Sequence, residues 1–304
     1  MTGIVSILAW VSMLAPVSVA DDIQQLACLE DGTVVGRDAR DLLRRWRDGD
    51  WEAPIGTGEL HELWAGPGGQ VYAREAGPRV ALLQVGLTER FWTNLPSLRG
   101  GSFTFATDAT GGTVIVTTDE VVGLQKNGAV VRLGAPPLVQ SSMEFRPSQP
   151  PTMITTGAGW LACFPNSPFE VDRGMKGVCV RPGPPRYDYR VDFGRYTDRT
   201  HARPFACGDA LISAIGDETQ ARRLADGRRI GHVAGAPRNG SRCLPDGRIL
   251  LIGARELRFF DGPALVHPRR LSVPGQIRDV AACAGRLAVL LESSQTMLID
   301  PPSR

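Results

Sequence analysis

Six cysteines and four histidines are the side chains of this 304-residue sequence best suited to metal binding or covalent chemistry. The cysteines, Cys28, Cys163, Cys179, Cys207, Cys243 and Cys283, include no C-x-x-C pair, the spacing that zinc sites and thioredoxin-like redox motifs use. Disulfides are the chemistry an even, dispersed set supports. His61, His201, His232 and His267 lie far apart, and none has another metal-ligating side chain two or four positions on, so ordinary surface or strand histidines are expected and no metal or other cofactor is assigned. No G-x-S-x-G elbow and no H-E-x-x-H pair occurs, which removes the sequence signals of an α/β-hydrolase nucleophile and a zinc-protease helix. Gly157 to Gly159 have the glycine content of a phosphate loop, but no helical pattern follows them, so they read as a hairpin turn.

Arginines cluster at Arg40, Arg44, Arg45 and Arg47, at Arg222, Arg223, Arg228 and Arg229, and at Arg269 and Arg270. Anion binding is one use for such clusters; the reading preferred here is that charge solvates and protects exposed strand edges. Trp46, Trp51, Trp64 and Trp92 could line a sugar-binding surface, but are expected to pack between neighbouring sheets. The formal charge of +2 supplies no field to draw in nucleic acid.

These residues are distributed over a repeated unit. Ser241 to Gly262, SRCLPDGRILLIGARELRFFDG, alternates short apolar strands with Asp-Gly turns, a dipeptide that tolerates the positive φ of tight hairpins. Degraded copies of this unit recur, anchored on Gly32, Gly69, Gly112, Gly159, Gly208, Gly247 and Gly285, with spacings of 37, 43, 47, 49, 39 and 38 residues. Each copy offers up to four strands of alternating or continuous apolar character, and no amphipathic helix competes. One small antiparallel sheet cannot bury both of its faces, so the units must stack. The expected fold is all-β, a single β-propeller of seven blades; six or eight blades also accommodate the irregular fourth and fifth copies.

CLPDGRILLIG resembles the opening of kelch-like blades in secreted bacterial proteins, and LLRRWRDGDWE with LHELWAGPGGQVYA is similar to the tryptophan-bearing blades of exported bacterial propellers. The likeness covers nearly the whole chain after residue 20 and implies fold only. The kelch glycine doublet, the Trp-Asp signature of WD repeats and the sialidase Asp box are not found, so the resemblance carries over no functional residue.

Residues 1–20 read as a signal peptide, with an apolar run from Ile4 to Val19 and the small residues Ser18-Val19-Ala20 before Asp21, although no Lys or Arg precedes the run. Residues 21–304 are then the propeller domain, secreted or periplasmic, with no later stretch long enough to span a membrane. Cys163 and Cys179 flank one hairpin and are expected to pair. The other four cysteines each end a first strand, so neighbouring copies should be joined as Cys207 with Cys243 and, if a ring closes, Cys28 with Cys283.

The long links, residues 134–150, 165–176 and 194–203, should rise on one face of such a ring. They carry Met143, Phe145, Arg146, Phe169, Glu170, Asp172, Arg173, Tyr196, Asp198, Arg199 and His201, a mixture of apolar anchors and charge that suits a protein or glycan partner. The functional expectation is a non-catalytic exported binding or scaffolding protein, acting as a monomer. The alternative is a propeller-class enzyme of lyase, lactonase or dehydrogenase type with its site at the channel mouth.

Overall fold

The structure is a computed structural model and describes residues 22–29, 31–55, the strands between residues 60 and 192, and 204–303 apart from 216 and 239. Among these residues the regular structure is all strand. The first copy holds β1 (Ile23–Cys28), β2 (Val34–Asp38), β3 (Leu43–Arg47) and β4 (Asp50–Trp51), and the second β5 (Leu60–Ala65), β6 (Val71–Glu75), β7 (Arg79–Leu83) and β8 (Arg90–Asn94). The third holds β9 (Thr104–Thr107), β10 (Thr113–Val116), β11 (Val121–Leu124) and β12 (Val130–Gly134), and the fourth β13 (Thr152–Thr156), β14 (Gly159–Pro165), β15 (Lys176–Val180) and β16 (Asp188–Asp192). The fifth contributes β17 (Phe205–Cys207), β18 (Ala210–Ile215), β19 (Glu218–Arg223) and β20 (Arg229–Ala234). The sixth has β21 (Arg242–Cys243), β22 (Ile249–Ile252), β23 (Glu256–Phe260) and β24 (Arg269–Ser272), and the seventh β25 (Ile277–Cys283), β26 (Arg286–Leu291) and β27 (Thr296–Ile299).

Pairing follows chain order. Copies one, two, three and six each form a four-stranded antiparallel meander, and copy seven contributes three strands. The strands of copies four and five, expected as separate sheets, form one eight-stranded sheet joined by the single pair Asp192 with Ala214. The first strands adjoin one another from copy to copy: β9, β13, β17 and β21 are successive neighbours, and β1 touches both β25 and β5. Contact between β1 and β25 brings the two ends of the chain together, as a ring with first strands along its inner edge requires.

The core consists of layers between sheets. Ala27, Val35 and Leu43 of copy one pack on Leu63 and Val71 of copy two. Ile23, Cys28 and Trp51 pack on Ala281, Ala288 and Leu290 of copy seven. Leu250 and Phe259 face Val280 and Val289 across the next seam, and Ile249 and Phe260 face Ile212 and Ala221 across the one before it. With both faces covered, a strand gains nothing from alternation, which is why β22, Ile-Leu-Leu-Ile, is apolar and buried throughout.

Trp51 shows how closely these layers fit. Its ring lies over Gly36 so that a Cβ there would stand 2.7 Å from the indole and 2.8 Å from Ile23; a glycine is needed because the backbone itself is the packing surface. Trp46 also packs against this seam, in agreement with the expected role of the blade tryptophans; the side chains of Trp64 and Trp92 are outside the described residues. Two disulfides cross seams. Cys28 joins Cys283, with Cα atoms 5.3 Å apart, and Cys207 joins Cys243, at 5.1 Å. In copy four the register sets Cys163 directly opposite Cys179 on β14 and β15.

Candidate functional site

Three first strands open with the same irregularity. A bulge falls between Ile23 and Gln25 in β1, between Leu60 and Glu62 in β5, and between Ile277 and Asp279 in β25. An extra residue in a strand locally bends it and re-aims the side chain that follows. In β25 that side chain is Asp279, whose Oδ2 accepts a hydrogen bond from the Leu26 backbone N–H of the next sheet at 2.8 Å. In β1 it is Gln25, whose Oε1 accepts from the Leu63 N–H of the following sheet at 3.2 Å and from Arg37 Nε at 3.0 Å. Copy six makes the corresponding reach with opposite polarity, since Arg242 Nη2 donates to the Val280 carbonyl at 2.5 Å. Val280, Leu26 and Leu63 each follow the post-bulge position, so a side chain at the inner edge ties its sheet to an equivalent peptide of the next at three successive seams.

The electrostatics of this edge are those of enclosed charge. Asp279 is 9% exposed, and burial pushes its carboxyl above the ordinary value of 3.8; the Leu26 and Val280 N–H groups and the charge of Arg242 oppose that shift. Burial likewise pulls the Arg242 guanidinium down, against the attraction of Asp279. Nearer the rim, Arg278 binds the Asp22 carboxylate, the Ile23 carbonyl at 2.7 Å and Glu292 Oε2 at 3.1 Å, while Ser294 donates to Asp22 at 2.8 Å. The Arg278 hydrogen bond is the main reason the Asp22 carboxyl lies below 3.8.

Sequence reasoning did not single out Gln25, Arg242 or Asp279. The signal was present as a short recurring pattern, an apolar residue, any residue, then Gln, Glu or Asp, then an apolar residue, at Ile23 to Leu26, Leu60 to Leu63 and Ile277 to Val280.

Of the arginine clusters, Arg40, Arg47, Arg228, Arg229 and Arg270 are exposed as expected of strand edges. Arg44 corrects that reading. It is 5% exposed and its Nε donates to Asp38 Oδ2 at 2.8 Å, so it is a structural arginine beneath the β2–β3 turn. His232 and His267 are exposed. The proposed contact residues Met143, Phe145, Arg146, Phe169, Glu170, Asp172, Arg173, Tyr196, Asp198, Arg199 and His201 lie outside the described residues, as do residues 1–20. Among the described residues there is no group of three or more His, Cys, Asp or Glu placed to hold a metal ion, and no helix long and apolar enough to cross a membrane.

No protein-family profile matches the chain, and no curated protein matches it by sequence. Solved structures do resemble it. Virginiamycin B lyase from Staphylococcus aureus is 9% identical with a TM-score of 0.59, covering 93% of this chain and 96% of its own. The WD40 domain of Neurospora crassa Pan2 is 11% identical with a TM-score of 0.60, covering 94% and 90%. BamB from Moraxella catarrhalis is 11% identical with a TM-score of 0.51, covering 95% and 100%. At such identities the likeness speaks to architecture alone; together with the closed ring of antiparallel meanders it establishes that this chain folds as a β-propeller.

Proposed function

We propose that this protein is a non-catalytic binding or scaffolding propeller, exported to the periplasm or cell exterior, that engages a protein or glycan through the face bearing its long links. The observation that carries the reading is how the enclosed carboxylates are used. Asp279 spends its oxygens on the Leu26 and Val280 N–H groups, and Asp38 spends its own on the Arg40 and Leu42 N–H groups and Arg44. A general acid or base needs an oxygen free for its substrate; these groups are committed to holding the ring. The two seam-crossing disulfides support a location outside the reducing cytoplasm, and residues 1–20 supply the export signal. Phe145, Phe169 and Tyr196 serve as the apolar anchors of the contact face.

Cross-linking in the source cell envelope, followed by affinity capture and mass spectrometry, tests this directly. A component enriched by the wild-type chain and lost by a folded F145S/F169S/Y196S variant is the expected result. Equal enrichment by both would place the contact elsewhere.

A further inference from the structure

Arg242 is half-buried at the inner edge, and among the described residues its charge has no direct counter-ion. Its Nε donates to the Gly240 carbonyl at 2.8 Å and its Nη2 to the Val280 carbonyl at 2.5 Å, both neutral acceptors. The more deeply buried arginines are treated differently: Arg44 meets Asp38 at 2.8 Å, Arg248 meets Asp246 at 2.7 Å, and Arg258 meets Glu256 at 3.5 Å. The charge of Asp279 acts on Arg242 without a direct ion pair; its oxygens accept from Leu26 N and Val280 N. A charge taken out of water is costly unless it is paired.

The group is nonetheless held firmly. Gly240 has φ +88°, and a Cβ there would lie 2.9 Å from Ile252 and 3.3 Å from the Val280 nitrogen, so the glycine is what allows the carbonyl cradle to close around the guanidinium. Among the described residues both N–H groups of Nη1 and one of Nη2 have no acceptor, and the residue is half-buried rather than sealed. A planar fork of N–H donors, held in place by two carbonyls and with no counter-ion among the described residues, is a receptor for a planar oxyanion.

We propose that Arg242 forms a binding site for a carboxylate group of a small organic acid at the inner edge of the ring, between the sixth and seventh copies. The site lies where β21 begins, on the face from which the links between successive copies emerge. It requires nothing of the partner-binding surface and stands or falls separately from it.

Acetate titrated against the full chain at constant ionic strength, with chloride as the replaced ion and inorganic phosphate as a comparison, tests the assignment by thermal shift and by chemical-shift changes at Arg242 and Val280. Saturable acetate binding is expected in the wild type, weakened about tenfold in Arg242→Gln and less in Arg242→Lys, which keeps charge without the fork. Asp279→Asn removes the nearby negative charge and should tighten acetate binding about threefold or more, a gain that a merely structural Arg242 would not produce. The proposal is overturned by a wild type that responds to acetate no more than to chloride, by phosphate binding without acetate binding, or by an Asp279→Asn variant with unaltered affinity. Should Arg242→Gln fail to fold, the Arg242→Lys and Asp279→Asn arms decide the matter.

Discussion

Asp38 carries the turn between β2 and β3 on a single carboxylate. One oxygen accepts the Arg40 and Leu42 N–H groups at 2.9 and 3.0 Å, the other the Nε of buried Arg44. Burial by itself would raise its carboxyl, but the hydrogen bonds from Arg44, Leu42 and Arg40, with the Arg44 charge, outweigh that and hold it below 3.8. A depressed carboxylate stabilises the fold fully above its unfolded value and loses that contribution as pH falls through the folded one. Asp38→Asn is therefore expected to cost about 3 kcal/mol near neutral pH, with the deficit shrinking below about pH 4. Urea midpoints of the two proteins across that range measure it; a deficit independent of pH would mean that the charge of Asp38 is not what Arg44 requires. Asp279 behaves with the opposite sign: its raised carboxyl makes ionisation a cost that grows as pH rises above 3.8.

At the scale of elements, the bulges of β1, β5 and β25 convert the start of a first strand into a tie to the next sheet. Gln25 illustrates the device, serving the Leu63 N–H and Arg37 through one oxygen. Gln25→Leu strands both donors and should destabilise the fold by about 1–3 kcal/mol, whereas Gln25→Glu keeps an acceptor and should cost less. Equal losses in guanidinium unfolding would show that the seam between copies one and two is held by its apolar layer alone. The glycine anchors and strands of copies one, five, six and seven could be read from sequence because hairpin turns and apolar runs are local features. The buried place of Arg44 could not: three neighbouring arginines are at least partly exposed, and only its position opposite Asp38 separates it from them.

The ring as a whole is fastened where its ends meet. Cys28 to Cys283 closes a loop with a sequence separation of 255, against 36 for Cys207 to Cys243. Chain entropy in the unfolded state assigns about 5.5 kcal/mol to the first bridge and about 4 kcal/mol to the second. The Asp22–Arg278 pair and the Asp279–Leu26 hydrogen bond lie on the same seam. We expect C28S/C283S to lower the denaturant midpoint under oxidising conditions more than C207S/C243S does, and both differences to vanish in excess reductant. A C28S/C283S variant unfolding at the wild-type midpoint would leave closure to the apolar layer and these polar ties.

The sequence by itself determined the strand content, the repeat and the position of four cysteines at first-strand ends, because turn glycines, apolar runs and spacing act within one copy. Only the tertiary structure decided that Asp279 meets Leu26, 253 residues away, that Arg242 donates to two backbone carbonyls, and that copies four and five share a sheet. The physical reason is that an inner-edge side chain finds its partners on the next sheet, and a residue's environment across a seam is set by closure of the ring rather than by its neighbours in sequence.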